Sequence, residues 1–243
     1  MKDEKEQHKN ISLVEAAVIF LSSTAYFYLL LIFVYPYLKS NLTVNPALYW
    51  FITGFLLFVP LFVFSVLMVR KEGNRSFNKI IQALYIKKLS GRDWYYSITG
   101  LILIFLLSGL IYGISWILNW WLGIGMIDTQ PWFMDQFRPF KCWEILLLLV
   151  WLAMFFFNIA GEEILWRGYI QARLNSKYSW LWCCLLWAVF HLPFGLNIIL
   201  MASPALIIIP YIFSKTKNTT IGIFIHGLYN GPIFIAISLG LLN

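Results

Sequence analysis

Residues 142–172 read CWEILLLLVWLAMFFFNIAGEEILWRGYIQA. From Ile145 to Gly161 the run carries no charge, and it then takes in Glu162, Glu163 and Arg167 without leaving an apolar context. A helix that crosses a bilayer needs about 20 predominantly apolar residues, and this run is long enough. The rest of the chain has the same character. Of its 243 residues, 60% are hydrophobic, 19% aromatic and only 12% charged, and the mean hydropathy is +0.75. Soluble domains carry about 25% charged residues. The composition therefore predicts an all-α polytopic membrane protein.

Working outward from that run, the apolar stretches give about seven candidate spans: 12–38, 46–69, 95–121, 142–172, 179–193, 196–213 and 219–242. The fifth and sixth are short and are divided by Pro193 and Gly195. They can form one broken hairpin that crosses incompletely, so the count is held at six to eight. The division expected is a cytoplasmic tail 1–11, N-terminal spans 12–121 with a cytoplasmic loop 70–94, and a catalytic core 142–242. No cleavable signal peptide is expected, because the first run is too long and no A-x-A-like site follows it.

The net charge of +7 does not point to nucleic acid. Its basic residues lie between apolar runs, where they set topology and can meet anionic lipid headgroups. Loop 70–94 alone holds Arg70, Lys71, Arg75, Lys79, Lys87, Lys88 and Arg92. The Lys/Arg asymmetry places the N-terminus in the cytoplasm, and the length and compactness of the chain make a bacterial plasma membrane the expected location. Within the loop, FNKIIQALYIKKL (77–89) puts Phe77, Ile80, Ile81, Leu84 and Leu89 mostly on one face, with Lys79, Lys87 and Lys88 off it. This predicts an interfacial amphipathic helix on the cytoplasmic leaflet. Loop 128–143 is rich in Trp and Phe, as expected at headgroup level. Cys142, Cys183 and Cys184 are odd in number and lack metal-ligand spacing.

An ionised group at the centre of a spanning helix costs about 2.5–3.5 kcal/mol on insertion scales, so the three charges require compensation or a role. Glu163 and Arg167 are four residues apart and can pair on one helix face. Glu162 points about 100° away from Glu163. It has no cation within the motif, and its neighbour one turn earlier is Asn158. Two of the three histidines, His191 and His226, also fall in or at the ends of apolar runs, and Asn230 follows His226 by four residues. Counting from Lys177, Glu162 and His191 lie about 21–22 Å along their helices. Counting from Lys217, His226 and Asn230 lie about 14–20 Å along theirs. A carboxylate, two imidazoles and an amide thus reach overlapping depths.

The segments EEILWR (162–167), WAVFH (187–191) and HGLYN (226–230) fit a Glu-Glu-x-x-x-Arg, an aromatic-x-x-x-His and a His-x-x-x-Asn motif. In order and spacing they resemble the CPBP family of intramembrane proteases, which includes CAAX prenyl endopeptidases and proteins linked to bacteriocin self-immunity. The resemblance covers about residues 142–240. GRDWYYSITG (91–100) also looks like family sequence, less diagnostically. The resemblance implies a glutamate-dependent endopeptidase acting on a peptide or membrane-protein substrate. Glu162 and His191 match the residues that activate water, His226 and Asn230 those that stabilise the oxyanion, and Glu163 and Arg167 the supporting part of the first motif. Trp187 stands where the family pattern usually has Phe, which implies a changed pocket shape rather than lost chemistry.

A carboxylate in an apolar site suits general-base work, and the need for water predicts a polar cavity open to one side. Zinc is a possible cofactor that the mechanism does not require. If a metal is bound, Glu162, His191 and His226 are its ligands, although HExxH is absent. Ser108 in LLSGL lacks a rhomboid-like glycine pattern, and no intramembrane pair of aspartates is found. Two other readings compete with the protease: a non-catalytic immunity or interaction protein on the same scaffold, and a proton-coupled transporter.

Overall fold

The computed structural model describes residues 9–134 and 137–241. Most of the expected tail (Lys2, Lys5 and His8 among it), Asp135 and the last residue of the expected core lie outside these. The described chain is helical almost throughout, with a single isolated parallel bridge between Ile11 and Leu174. Among the described residues, six helices are long and apolar enough to cross a membrane. They are α1 (Leu13–Asn41), α2 (Ala47–Lys71), α4 (Gly91–Leu122), α5 (Cys142–Gln171), α7 (Leu196–Thr216) and α8 (Thr219–Ser238). The shorter α6 (Ser179–Phe194) is the fifth candidate span. It ends in a 3-10 turn over Leu192–Phe194, and Gly195 then turns the chain at φ 100°. That left-handed φ is open to glycine, so α6 and α7 form the broken hairpin that Pro193 and Gly195 suggested.

Local chemistry sets the helix starts. Ser12 and Glu15 form a capping box at α1, and Ser90 and Asp93 form another at α4. Asn218 caps α8 by accepting from the Thr220 amide. The amphipathic helix of the basic loop is present but short. It runs over Phe77–Ala83 (α3) and stops at Tyr85, which adopts φ 55°. Its buried contribution comes from Ala83 and Leu84, whereas Phe77 is 75% exposed. The stripe expected through Leu89 is therefore broken, because the chain leaves the helix before reaching it.

α5 packs against α8. α2 lies along α5, α4 lies against α7 and α8, and α6 is held between α1 and α7. At Gly161 a methyl group would come within 2.8 Å of the Phe58 carbonyl oxygen. Small residues allow such backbone approach where no hydrophobic effect drives helices together, and here the approach occurs immediately before Glu162. α4 is the most lipid-facing span, with Leu106, Leu110, Trp120 and Trp121 all exposed.

The basic loop is tied to the helices that carry the site. Arg173, just beyond α5, is buried and forks onto Glu72, with contacts of 2.8–3.2 Å, while also donating to the Gly168 and Ala83 carbonyls. Thr219, the first residue of α8, donates from its amide to Tyr85 O and from its hydroxyl to Leu84 O. The last turns of α5, Ile164–Gln171, are π-helical. Such turns are rare and are frequent at functional sites.

Candidate active site

The two adjacent glutamates are both buried, at 2% and 0% exposure for Glu162 and Glu163, yet their surroundings differ. Glu162 Oε2 accepts a hydrogen bond of 2.7 Å from the Trp187 indole N–H, and Oε1 accepts one of 3.2 Å from the Asn158 amide. Both donors are neutral. Glu163 faces charge. Its Oε2 lies 3.2 Å from Arg167 Nε and its Oε1 lies 3.0 Å from His226 Nδ1. The 100° step between neighbouring helix positions is what sends the two carboxylates to different partners.

Arg167 is fully buried. Its nitrogens make no hydrogen bond among the described residues, because its approach to Glu163 is an ion pair without hydrogen-bond alignment. The guanidinium lies 3.5 Å above the centre of the Trp187 ring. Ion pairing and cation–π attraction together compensate the buried cation, and the latter is worth about 2 kcal/mol when desolvated.

Each histidine has one nitrogen fixed. His191 Nδ1 is 2.9 Å from the Trp187 carbonyl oxygen. A carbonyl only accepts, so Nδ1 carries the proton, and in a neutral ring Nε2 is then an acceptor. His226 Nδ1 likewise donates to the Glu163 carboxylate. The Trp187 ring meets both imidazoles nearly edge-on, with centroids 5.4 Å from His191 and 5.5 Å from His226. Glu162, Glu163, Arg167, Trp187, His191 and His226 thus form one connected cluster drawn from α5, α6 and α8. Asn230, one turn beyond His226, is exposed.

Among the described residues no three of His, Cys, Asp and Glu stand close enough to hold a metal ion. The set Glu162, His191 and His226 does not fit a zinc site as arranged. A cavity of about 290 Å³ is lined by residues including Asp128, Gln130, Trp132, Phe194, Gly195 and Asn197. Phe194 in its wall neighbours the cluster, its ring lying 5.6 Å from that of His191. Trp132 is anchored in this wall by donating from its indole to the Pro193 carbonyl at 2.8 Å. Ser108 stands apart, bonded to the Met201 carbonyl and the Tyr229 hydroxyl in a link between α4, α7 and α8.

Sequence reasoning missed Gly222. A methyl group there would come within 2.3 Å of Glu163 Oε2, so Gly222 makes room for the carboxylate. The available signal was its place one turn before His226 on the same helix face.

These features define a buried cluster of ionisable side chains on three apolar helices. The family model described as Type II CAAX prenyl endopeptidase Rce1-like matches residues 144–231, which contain the whole cluster. The match is consistent with the CPBP resemblance of the three motifs. No curated protein and no solved structure matches the chain.

Proposed function

We propose that the protein hydrolyses a peptide bond within the membrane, with Glu162 as general base. The observation that carries this reading is the contrast between the glutamates: Glu162 is buried among neutral donors, while Glu163 faces the Arg167 cation and the His226 imidazole. Each ionised carboxylate oxygen retains acceptor capacity beyond its present bond, so Glu162 can also receive a proton from water. His191, with Nδ1–H committed to the backbone, offers Nε2 as an acceptor that orients the same water. Attack on the scissile carbonyl gives a tetrahedral oxyanion. His226, when protonated at Nε2, donates to that oxygen with Glu163 as its counter-charge, and the Asn230 amide supplies a second donor. Glu162 then returns its proton to the leaving amine. Donors fixed in a water-poor site act strongly on a developing charge.

On this reading the substrate is a peptide or membrane protein presented within the bilayer. The catalytic part is 142–242, and the N-terminus is cytoplasmic, as supported by the lysines and arginines of loop 70–94. The test is cleavage of a diverse quenched-fluorescent peptide set by nanodisc-embedded protein, prenylated peptides included, with and without chelator. Wild-type cleavage that survives chelator and disappears in Glu162→Gln is expected. Cleavage retained by Glu162→Gln would overturn the assignment, and a cellular phenotype retained by that variant would favour an immunity or interaction protein instead.

A further inference from the structure

We infer that Trp187 is the positioning residue of this site, joining Glu162 and His191 through a single amino acid. The inference rests on the protease reading above and adds a role to it. The side chain of Trp187 donates to Glu162 Oε2 at 2.7 Å. Its backbone carbonyl accepts from His191 Nδ1 at 2.9 Å. The residue thereby fixes the orientation of the base and the tautomer of the histidine together.

The geometry leaves the indole no other place to go. Trp187 is 1% exposed. One ring face is covered by the Arg167 guanidinium at 3.5 Å, and the ring meets His191 and His226 nearly edge-on. Its N–H is therefore aimed rigidly, and a hydrogen bond to an ionised acceptor is the stronger kind. The contact from Asn158 is longer, at 3.2 Å, and comes from a partly buried side chain. The terminal torsion of a glutamate is broad, so without the indole donor the Glu162 carboxylate is held by Asn158 alone. Misplacement of a reacting group by about 1 Å can cost on the order of 100-fold in rate.

A phenyl ring at this position preserves an aromatic face for Arg167 and an edge for both imidazoles, but it cannot donate. The role of Trp187 is thus separable from its packing. The experiment compares wild type with Trp187→Phe and with a variant carrying benzothienylalanine at 187, which has the shape of tryptophan with sulfur in place of N–H. All are assayed in nanodiscs against the best peptide of the cleavage screen. The expected result is a fall in kcat of about 10- to 100-fold in both variants, with KM within about twofold of wild type. A benzothienylalanine variant that turns over like wild type would overturn the donor role, as would a defect confined to KM.

An arm that needs no substrate separates the two proposals. In ¹⁵N-tryptophan-labelled protein, the indole resonance lost in Trp187→Phe should lie downfield and move upfield in Glu162→Ala. A resonance that does not respond to Glu162→Ala would overturn the contact itself. A responsive resonance in a wild-type protein that cleaves nothing would overturn the protease reading, and the catalytic role of Trp187 with it.

Discussion

His226 Nδ1 lies 3.0 Å from Glu163 Oε1, which binds α8 to α5 at the level of the buried charges. The same carboxylate faces Arg167 through its other oxygen. Glu163 is therefore the counter-charge for two basic side chains, and its neighbour Glu162 for none. The consequences of changing the two glutamates should differ in kind.

Glu163→Gln leaves the Arg167 guanidinium buried without its anion. Removing one partner of a buried pair costs about 3–5 kcal/mol. A marked fall in melting temperature is expected, read by thermal unfolding in detergent, together with loss of cleavage. A variant as stable as wild type would show that the cation–π contact with Trp187 suffices for Arg167.

Glu162→Gln removes no ion pair. Its amide oxygen still accepts from Trp187, and Asn158 can present its carbonyl oxygen instead of its amide. Stability within about 1 kcal/mol of wild type is expected, with cleavage abolished. Strong destabilisation would assign Glu162 a structural role.

Gly222→Ala places a methyl group 2.3 Å from Glu163 Oε2. Overpacking of this kind costs about 1–3 kcal/mol, and relief requires Glu163 to move from His226 or Arg167. Reduced stability and at least a tenfold loss of cleavage are expected. Gly109, around which a methyl group meets open space, is the control position, and Gly109→Ala should be neutral in both assays.

Arg173→Ala breaks the fork onto Glu72 and frees the Ala83 carbonyl. Hydrogen exchange should accelerate in residues 72–90 first, because that loop is held by a small number of such contacts. Exchange that rises equally across all helices would instead indicate global destabilisation.

Much of this arrangement is legible in the sequence, because membrane helices announce themselves by length and apolarity. The breaks at Pro193 and Gly195 are visible as residue types, and so is the 100° divergence of Glu162 from Glu163. The pairing of Glu163 with Arg167 follows from spacing alone. What escapes is whatever depends on a neighbour from another helix. Trp187 reads as a matter of shape because nothing in WAVFH reveals where an indole N–H will point. Gly222 reads as an ordinary membrane glycine until Glu163 is seen beside it. The helix over 77–89 is overextended in the sequence reading because its apolar spacing continues past Tyr85, where the backbone turns left-handed so that Leu84 and Tyr85 can present carbonyls to Thr219. The expectation that Asn230 shares a target with His226 rests on spacing, and its exposed position makes the two sites unequal in burial.

The π-helical stretch Ile164–Gln171 has a further implication for how this chain tolerates change in length. Its hydrogen bonds run from i to i+5 rather than i to i+4, so the segment accommodates more residues per turn than the α-helix before it. A one-residue deletion within it can be absorbed by reversion to ordinary α-helix, which keeps Glu162 and Glu163 before it and Arg173 after it near their places while re-phasing the residues between, Arg167 among them. The same deletion a few residues earlier, between Trp151 and Gly161, would instead swing both glutamates relative to the incoming half of the helix. Neighbouring deletions in α5 should therefore yield two distinct classes of damage: local loss of the Arg167 contacts in one, and disassembly of the whole buried cluster in the other.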